Sequence, residues 1–206
     1  MTTPSSLAQD PKSFRTRQKE VREDAILSAA EELLSKQDFA SVTMDDVAVK
    51  VGISKATLYQ HFLSKEDLVV HMITRCMKNA ESSIEQLDPA LSPLMRLKKA
   101  FRVILEGRLG GIPGLRAARP ALSPLIRSHP KAKAQYQDLF TALSNLVDAA
   151  KKEGGIRRSV PTELFVELFF AQVRSTDYEE LVAEKKTSIS EVCDFILTVL
   201  FDGVIR

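Results

Sequence analysis

The chain has 206 residues, 44% of them hydrophobic and 27% charged, with a net charge of +2. That make-up belongs to an ordinary water-compatible protein, large enough to bury a real core in one or two domains. The near balance of charge excludes any argument for nucleic-acid binding from overall charge, which leaves only the local placement of cations.

Residues 1–17 read as a flexible basic arm. Thr2, Thr3, Pro4, Ser5, Ser6 and Pro11 crowd its first part, and Lys12, Arg15, Arg17 and Lys19 come next without an intervening acid. Such an arm either enters a minor groove beside a DNA-reading helix or is a solvated tail. From Gln18 to Lys36 a helical stripe holds Val21, Ala25, Ile26, Ala29, Ala30, Leu33 and Leu34. This helix backs the two short ones after it, with Phe39 and Val42 closing a small core.

Residues 43–65, TMDDVAVKVGISKATLYQHFLSK, hold two short helical patterns, Met44 to Lys50 and Lys55 to Phe62, around the turn Val51-Gly52-Ile53-Ser54. Thr43 sits at an N-cap position with Asp46 three residues on, a capping-box spacing. Ser54 caps the second pattern, and Ser64 with Asp67 caps the next helix. Gly52 stands where the chain reverses and a positive φ is needed. Val47, Val51, Ile53 and Leu58 make the buried face, and Ala48 allows a close crossing. This is a helix-turn-helix with the second helix as reader. A helix of that length, about 10 Å, fits end-on in a major groove about 12 Å wide. Its exposed side chains, Lys55, Thr57, Tyr59, Gln60 and His61, are all polar or cationic. Lys55 and Thr57, in the first turn, are the candidates for base edges. Ala56 contacts a thymine methyl or simply permits close approach, and Tyr59 and Gln60 touch phosphate or base.

The string T-M-D-D-V-A-x-x-V-G-I-S-K-A-T-L-Y-x-H-F-x-S-K-E-D-L, over the N-terminal third only, resembles the signature of the TetR family of bacterial repressors. The resemblance implies that Thr43 and Ser54 touch phosphate besides capping, and that His61 and Lys65 clamp the DNA backbone. It also implies a repressor released from its operator by a small molecule.

A long helix runs from Lys65 to about Gln86, bearing Leu68, Val69, Met72, Ile73, Cys76, Ala80 and Ile84. At roughly 33 Å it is the natural lever between two halves. Ser92-Pro93 starts a helix to about Leu109. Residues 110–114 break the pattern, and no Gly-Lys-Ser/Thr comes after them to make a phosphate loop. Residues 115–127 read as one or two short helices interrupted by Pro120 and Pro124. Further helices run from Pro130 to Glu153, from Pro161 through Val173, and from Ser188, which forms a capping box with Glu191, to Gly203. The helix from Pro161 is apolar nearly all round and needs cover on two sides. With the last helix it forms either half of a four-helix bundle completed by a second copy, through Phe165, Phe170, Val192, Ile196, Val199 and Leu200, or a plain hairpin.

The expected fold is all-α, about nine helices. Residues 18–64 form the DNA-binding domain and residues 65–206 a ligand-binding and dimerisation domain. The ligand site implied lies among the helices 92–109, 130–153 and 161–173. Phe101, Leu105, Phe140, Phe169 and Gln172 are candidate lining residues, and Arg102, Glu106 and Arg174 candidate polar contacts; core packing is the competing role for the apolar ones. His61, His71 and His129 show no metal-ligand spacing, and Cys76 and Cys193 read as buried free thiols. No catalytic motif stands out, so no enzyme activity, cofactor or metal is expected. With no apolar run near the ~20 residues of a membrane span and no signal peptide, the expected place is the cytoplasm. The expected partners are pseudo-palindromic double-stranded DNA, a second copy of the chain and a small-molecule effector.

Overall fold

The computed structural model describes residues 11–204. Its helices are α1 (Pro11–Leu34), α2 (Met44–Val51), α3 (Lys55–Tyr59), α4 (Lys65–Glu85), α5 (Pro93–Leu109), α6 (Arg119–Ser128), α7 (Pro130–Lys152), α8 (Thr162–Arg174), α9 (Asp177–Ala183) and α10 (Ile189–Asp202), with a 3-10 turn at Pro113–Leu115. No strand occurs among the described residues.

The starts obey the caps. Ser92 accepts from the Met95 amide ahead of Pro93, and Ser188 and Glu191 form a complete capping box. In α6, Pro120 sits in the first turn, where an amide has no helical acceptor anyway. Pro124 lies inside the helix, which continues past it. Helix α9 has no counterpart in the sequence pattern, and the reason is physical. It is only seven residues long, its apolar set is the single turn Tyr178, Leu181 and Val182, and its one fully buried residue is an acid, Glu179.

Two cores result. The first, the head, joins Ile26, Ala30 and Leu34 of α1 with Val47, Leu58, Phe62, and Leu68, Val69 and Met72 of α4. Leu115 of the 3-10 turn and Leu122 of α6 plug into the same core. The second, the body, gathers Ile84, Phe101, Leu105, Leu143, Val147, Phe165, Phe169, Ile196 and Phe201. Helix α4 thus reaches both, with Leu68 to Met72 in one and Ile84 in the other. Its middle belongs to neither, which is why Cys76 is exposed rather than buried; Cys193 is buried as expected.

Three expectations shift. Residues 1–10 of the expected arm lie outside the described residues, but from Pro11 the backbone is already helical, so Arg17 rides on α1 and not on a free tail. Val21 and Ala25 are exposed, because α1 extends past the core that its second half covers. A boundary at 64/65 cuts through the head core, which needs the first turns of α4.

Candidate nucleic-acid interface

The turn between α2 and α3 is built by backbone chemistry. The Thr43 hydroxyl accepts from the Asp46 amide at 3.2 Å while Asp46 accepts from the Thr43 amide at 2.8 Å, closing the capping box. The Thr43 hydroxyl also donates to that carboxylate at 2.6 Å. These bonds, the side-chain one foremost, hold the Asp46 carboxyl below its ordinary pKa. Gly52 ends α2 at φ 76°, ψ 34°, and its amide reaches the Ala48 and Val49 carbonyls. A Cβ there would meet nothing within 4 Å, so the demand for glycine is purely conformational. Ser54 then accepts from the Thr57 amide at 3.1 Å and starts α3.

Helix α3 covers five residues and buries only Leu58, with Phe62 just beyond it also buried. Lys55, Ala56, Tyr59 and Gln60 are exposed and Thr57 half-exposed. The structure therefore leaves those five turned away from the core, around the side of α3 not occupied by Leu58.

His61 and Lys65 are placed differently from the other expected contacts. The His61 side chain is 8% exposed and its Nδ1 lies 3.3 Å from Glu23 of α1. The Lys65 ammonium donates to the carbonyls of Phe39 at 2.6 Å and Val42 at 2.9 Å, and stands 4.2 Å from the Phe39 ring centroid. Two of its three donors are thus committed to the loop between α1 and α2. Sequence reasoning also missed Asp45, whose carboxylate pairs with Lys55 at 2.8 Å and raises its pKa. The two are ten residues apart, and only the crossing of α2 over α3 brings them together.

In the body, Phe101 and Phe169 stack with centroids 3.7 Å apart, and Leu105 is buried beside them. The expected lining is core packing here. Phe140 is half-buried next to Tyr136 and Phe170, and Gln172 accepts from the Tyr178 hydroxyl at 2.8 Å. Arg102 pairs with Glu106 and Asp194, and Arg174 with Glu167, all at the surface. Of the expected interface, Phe165, Phe170, Val192, Ile196 and Leu200 face this chain's own core, and Val199 faces out. The apolar side chains turned outward on α8 and α10 are Leu164, Leu168, Phe195 and Val199, the first and third about two-thirds exposed (68% and 65%). The helical period explains the swap, since the outward residues sit one position before those buried (Leu164 before Phe165, Phe195 before Ile196).

Residues 26–72 match the family described as bacterial regulatory proteins, tetR family. The HTH-type transcriptional regulator EthR of Mycobacterium tuberculosis is 35% identical over 165 residues, 78% of this chain and 76% of that protein. The chain belongs to the TetR family. The EthR regulator of Mycolicibacterium smegmatis is 27% identical over 146 residues, 68% of this chain and 65% of that protein, so under two thirds of that relative is spanned. A solved structure of the regulator AibR, in complex with isovaleryl coenzyme A and operator DNA, matches the fold at a TM-score of 0.60 and 19% identity, over 87% of this chain and 98% of that one. As a TetR-family regulator, the chain is a DNA-binding transcription factor, and among its described residues no helix is long and apolar enough to cross a membrane.

Proposed function

We propose that the chain is a homodimeric, ligand-responsive repressor that acts by binding and not by catalysis, in the cytoplasm. The observation that carries this is the face of α3. Five neighbouring side chains, Lys55, Ala56, Thr57, Tyr59 and Gln60, point outward from a turn whose every cap and glycine serves to hold them there. Lys55 exchanges Asp45 for a base edge on binding, and Thr57 meets the next base. Thr43 and Ser54 lie where backbone phosphate passes, and the committed amine of Lys65 supports the reader from behind.

Two heads are needed for half-sites about 34–36 Å apart, or farther by whole turns. The exposed Leu164 and Leu168 on α8 and Phe195 and Val199 on α10 support pairing of two copies there, since large apolar side chains left at the surface favour burial. A negative charge at both Leu168 and Phe195 should convert dimer to monomer in sedimentation equilibrium without unfolding it. The acyl-coenzyme A and operator DNA seen with AibR support an effector that changes DNA affinity. A hundredfold release requires the effector to favour the non-binding geometry by about 2.7 kcal/mol.

The filled space around Phe101 and Phe169 favours a second reading, a ligand-independent DNA-bound scaffold that recruits a protein partner. Selection from random duplex DNA with the purified chain, then a small-molecule screen for release, separates the two. A repressor of the first kind enriches a two-fold symmetric site and yields at least one releasing compound. Enrichment of no site defeats the DNA-reading assignment, and a site that no compound releases defeats the sensor.

A further inference from the structure

Where the body meets the head, three charged side chains from three elements converge out of water. Glu179 of α9 is 3% exposed. One of its oxygens, Oε1, accepts from Arg108 at the end of α5 and from Arg119 at the start of α6, the latter at 3.0 Å. Its other oxygen, Oε2, is buried with no partner, and so is Nε of Arg119. The set is poorly matched in two ways. Two guanidinium groups share one carboxylate, and both donate to the same oxygen while a donor and an acceptor beside them go unused. Desolvation and the like charge of Arg119 depress the Arg108 cation, while desolvation and nearby Arg116 depress that of Arg119, as expected where positive charge is in excess.

Glu179 is also the only buried residue of α9. A helix held by an apolar anchor leaves only at the cost of exposing that anchor. The one fully buried anchor of α9 is an ion pair, beside Tyr178 and Val182 that rest half-buried on the body core. Removing the carboxylate alone strands two buried cations, but replacing it with another anion keeps the charges paired. A carboxylate or phosphoryl group not tethered to α9 is free to turn and take the fork of Arg119 through Nε and Nη2 together, the stronger bidentate arrangement that Glu179 does not reach.

Space for the rest of such a molecule lies alongside. An open cleft of about 430 Å³ is lined by Thr176, Glu180, Arg116 and Pro120, near in sequence to Glu179 and Arg119, and by Asp38 from the head; the three charged residues do not line it themselves. That volume suits a small ligand. The same wall is fastened to the head. The Phe39 amide donates to the Gly114 carbonyl at 2.8 Å, and a Cβ on Gly114 would collide with the Gln37 carbonyl oxygen.

We infer that Arg108 and Arg119 form an anion-binding site that Glu179 occupies in the absence of effector, and that a small molecule bearing a carboxylate or phosphoryl group takes its place and releases α9. The inference rests on the ligand-responsive reading and gives the effector its chemistry. Displaced α9 no longer holds Arg119, four residues after Leu115 of the head core, so occupancy of the site is transmitted to the DNA-reading end.

Chemical rescue tests this without DNA, so its failure is distinct from failure to find an operator. Glu179→Ala vacates the site. Formate should raise the melting temperature of that variant by about 3 °C or more over chloride at equal ionic strength, with inorganic phosphate doing the same, while the wild type responds little to either. Combining Glu179→Ala with Arg119→Gln should abolish the rescue. Equal responses of variant and wild type, or full rescue of the double variant, would overturn the site. If Glu179→Ala does not fold, amide exchange on the wild type decides. Phosphate should speed exchange within Asp177–Ala183 several-fold over chloride, leave α5 unchanged, and lose the effect in Arg119→Gln; identical exchange in both salts would overturn it.

Discussion

The head and the body of this chain are held by different kinds of interaction. In the head, small devices each fix a piece of backbone: the Thr43–Asp46 box, the left-handed Gly52, the Ser54 cap and the Lys65 strut. In the body, Ser92 and the Ser188–Glu191 box start two helices, but stacked rings such as Phe101 on Phe169 decide how the helices sit on one another. The first kind of order positions a surface and leaves its side chains free to act. The second fills space, and a side chain spent on filling space does not present itself to a ligand.

The contrast is open to measurement. Phe101→Ala should cost about 4 kcal/mol in urea unfolding, because a fully buried ring leaves a cavity the stack cannot close. A cost under about 1 kcal/mol would show a yielding, ligand-ready body instead. Lys65→Met should destabilise by about 2 kcal/mol through loss of charge-assisted bonds to two carbonyls. Its DNA affinity, corrected for folded fraction, should keep the wild-type salt slope; a slope flatter by about one unit would return Lys65 to the phosphate-contact role. Ser54→Ala should cost about 1 kcal/mol as a lost N-cap. The smallest effect belongs to Asp46→Asn. The folded carboxyl is held below its ordinary value, so its contribution is present above the unfolded pKa and is lost as pH falls through the folded one. The stability gap between wild type and Asp46→Asn should therefore be widest near neutrality and close in strong acid. A gap constant with pH would mean the charge of Asp46 plays no part.

The same contrast explains what the sequence discloses. Caps and the turn glycine act through fixed local spacings, so Thr43, Gly52, Ser54 and Ser188 can be read from neighbours three residues away. Long-range pairings have no such spacing. His61 meeting Glu23, Lys65 reaching Phe39 and Val42, and Asp45 meeting Lys55 depend on how helices cross. In the body, Phe165 and Phe170 are as apolar as Leu164 and Leu168, and composition does not say which pair faces inward. Helix α9 escapes because it is short, with one turn of apolar pattern, and because its fully buried residue is Glu179, which a hydrophobic pattern counts as surface.

Parallel selection from random duplex DNA with wild type, Lys55→Met and Thr57→Val tests the central claim most directly. Wild type should return a pseudo-palindrome, and each variant should keep its spacing while changing preference at one base position per half-site, since both residues stand in the first turn of α3. Recovery of one unchanged site by all three proteins would contradict the assignment of α3 as the reader.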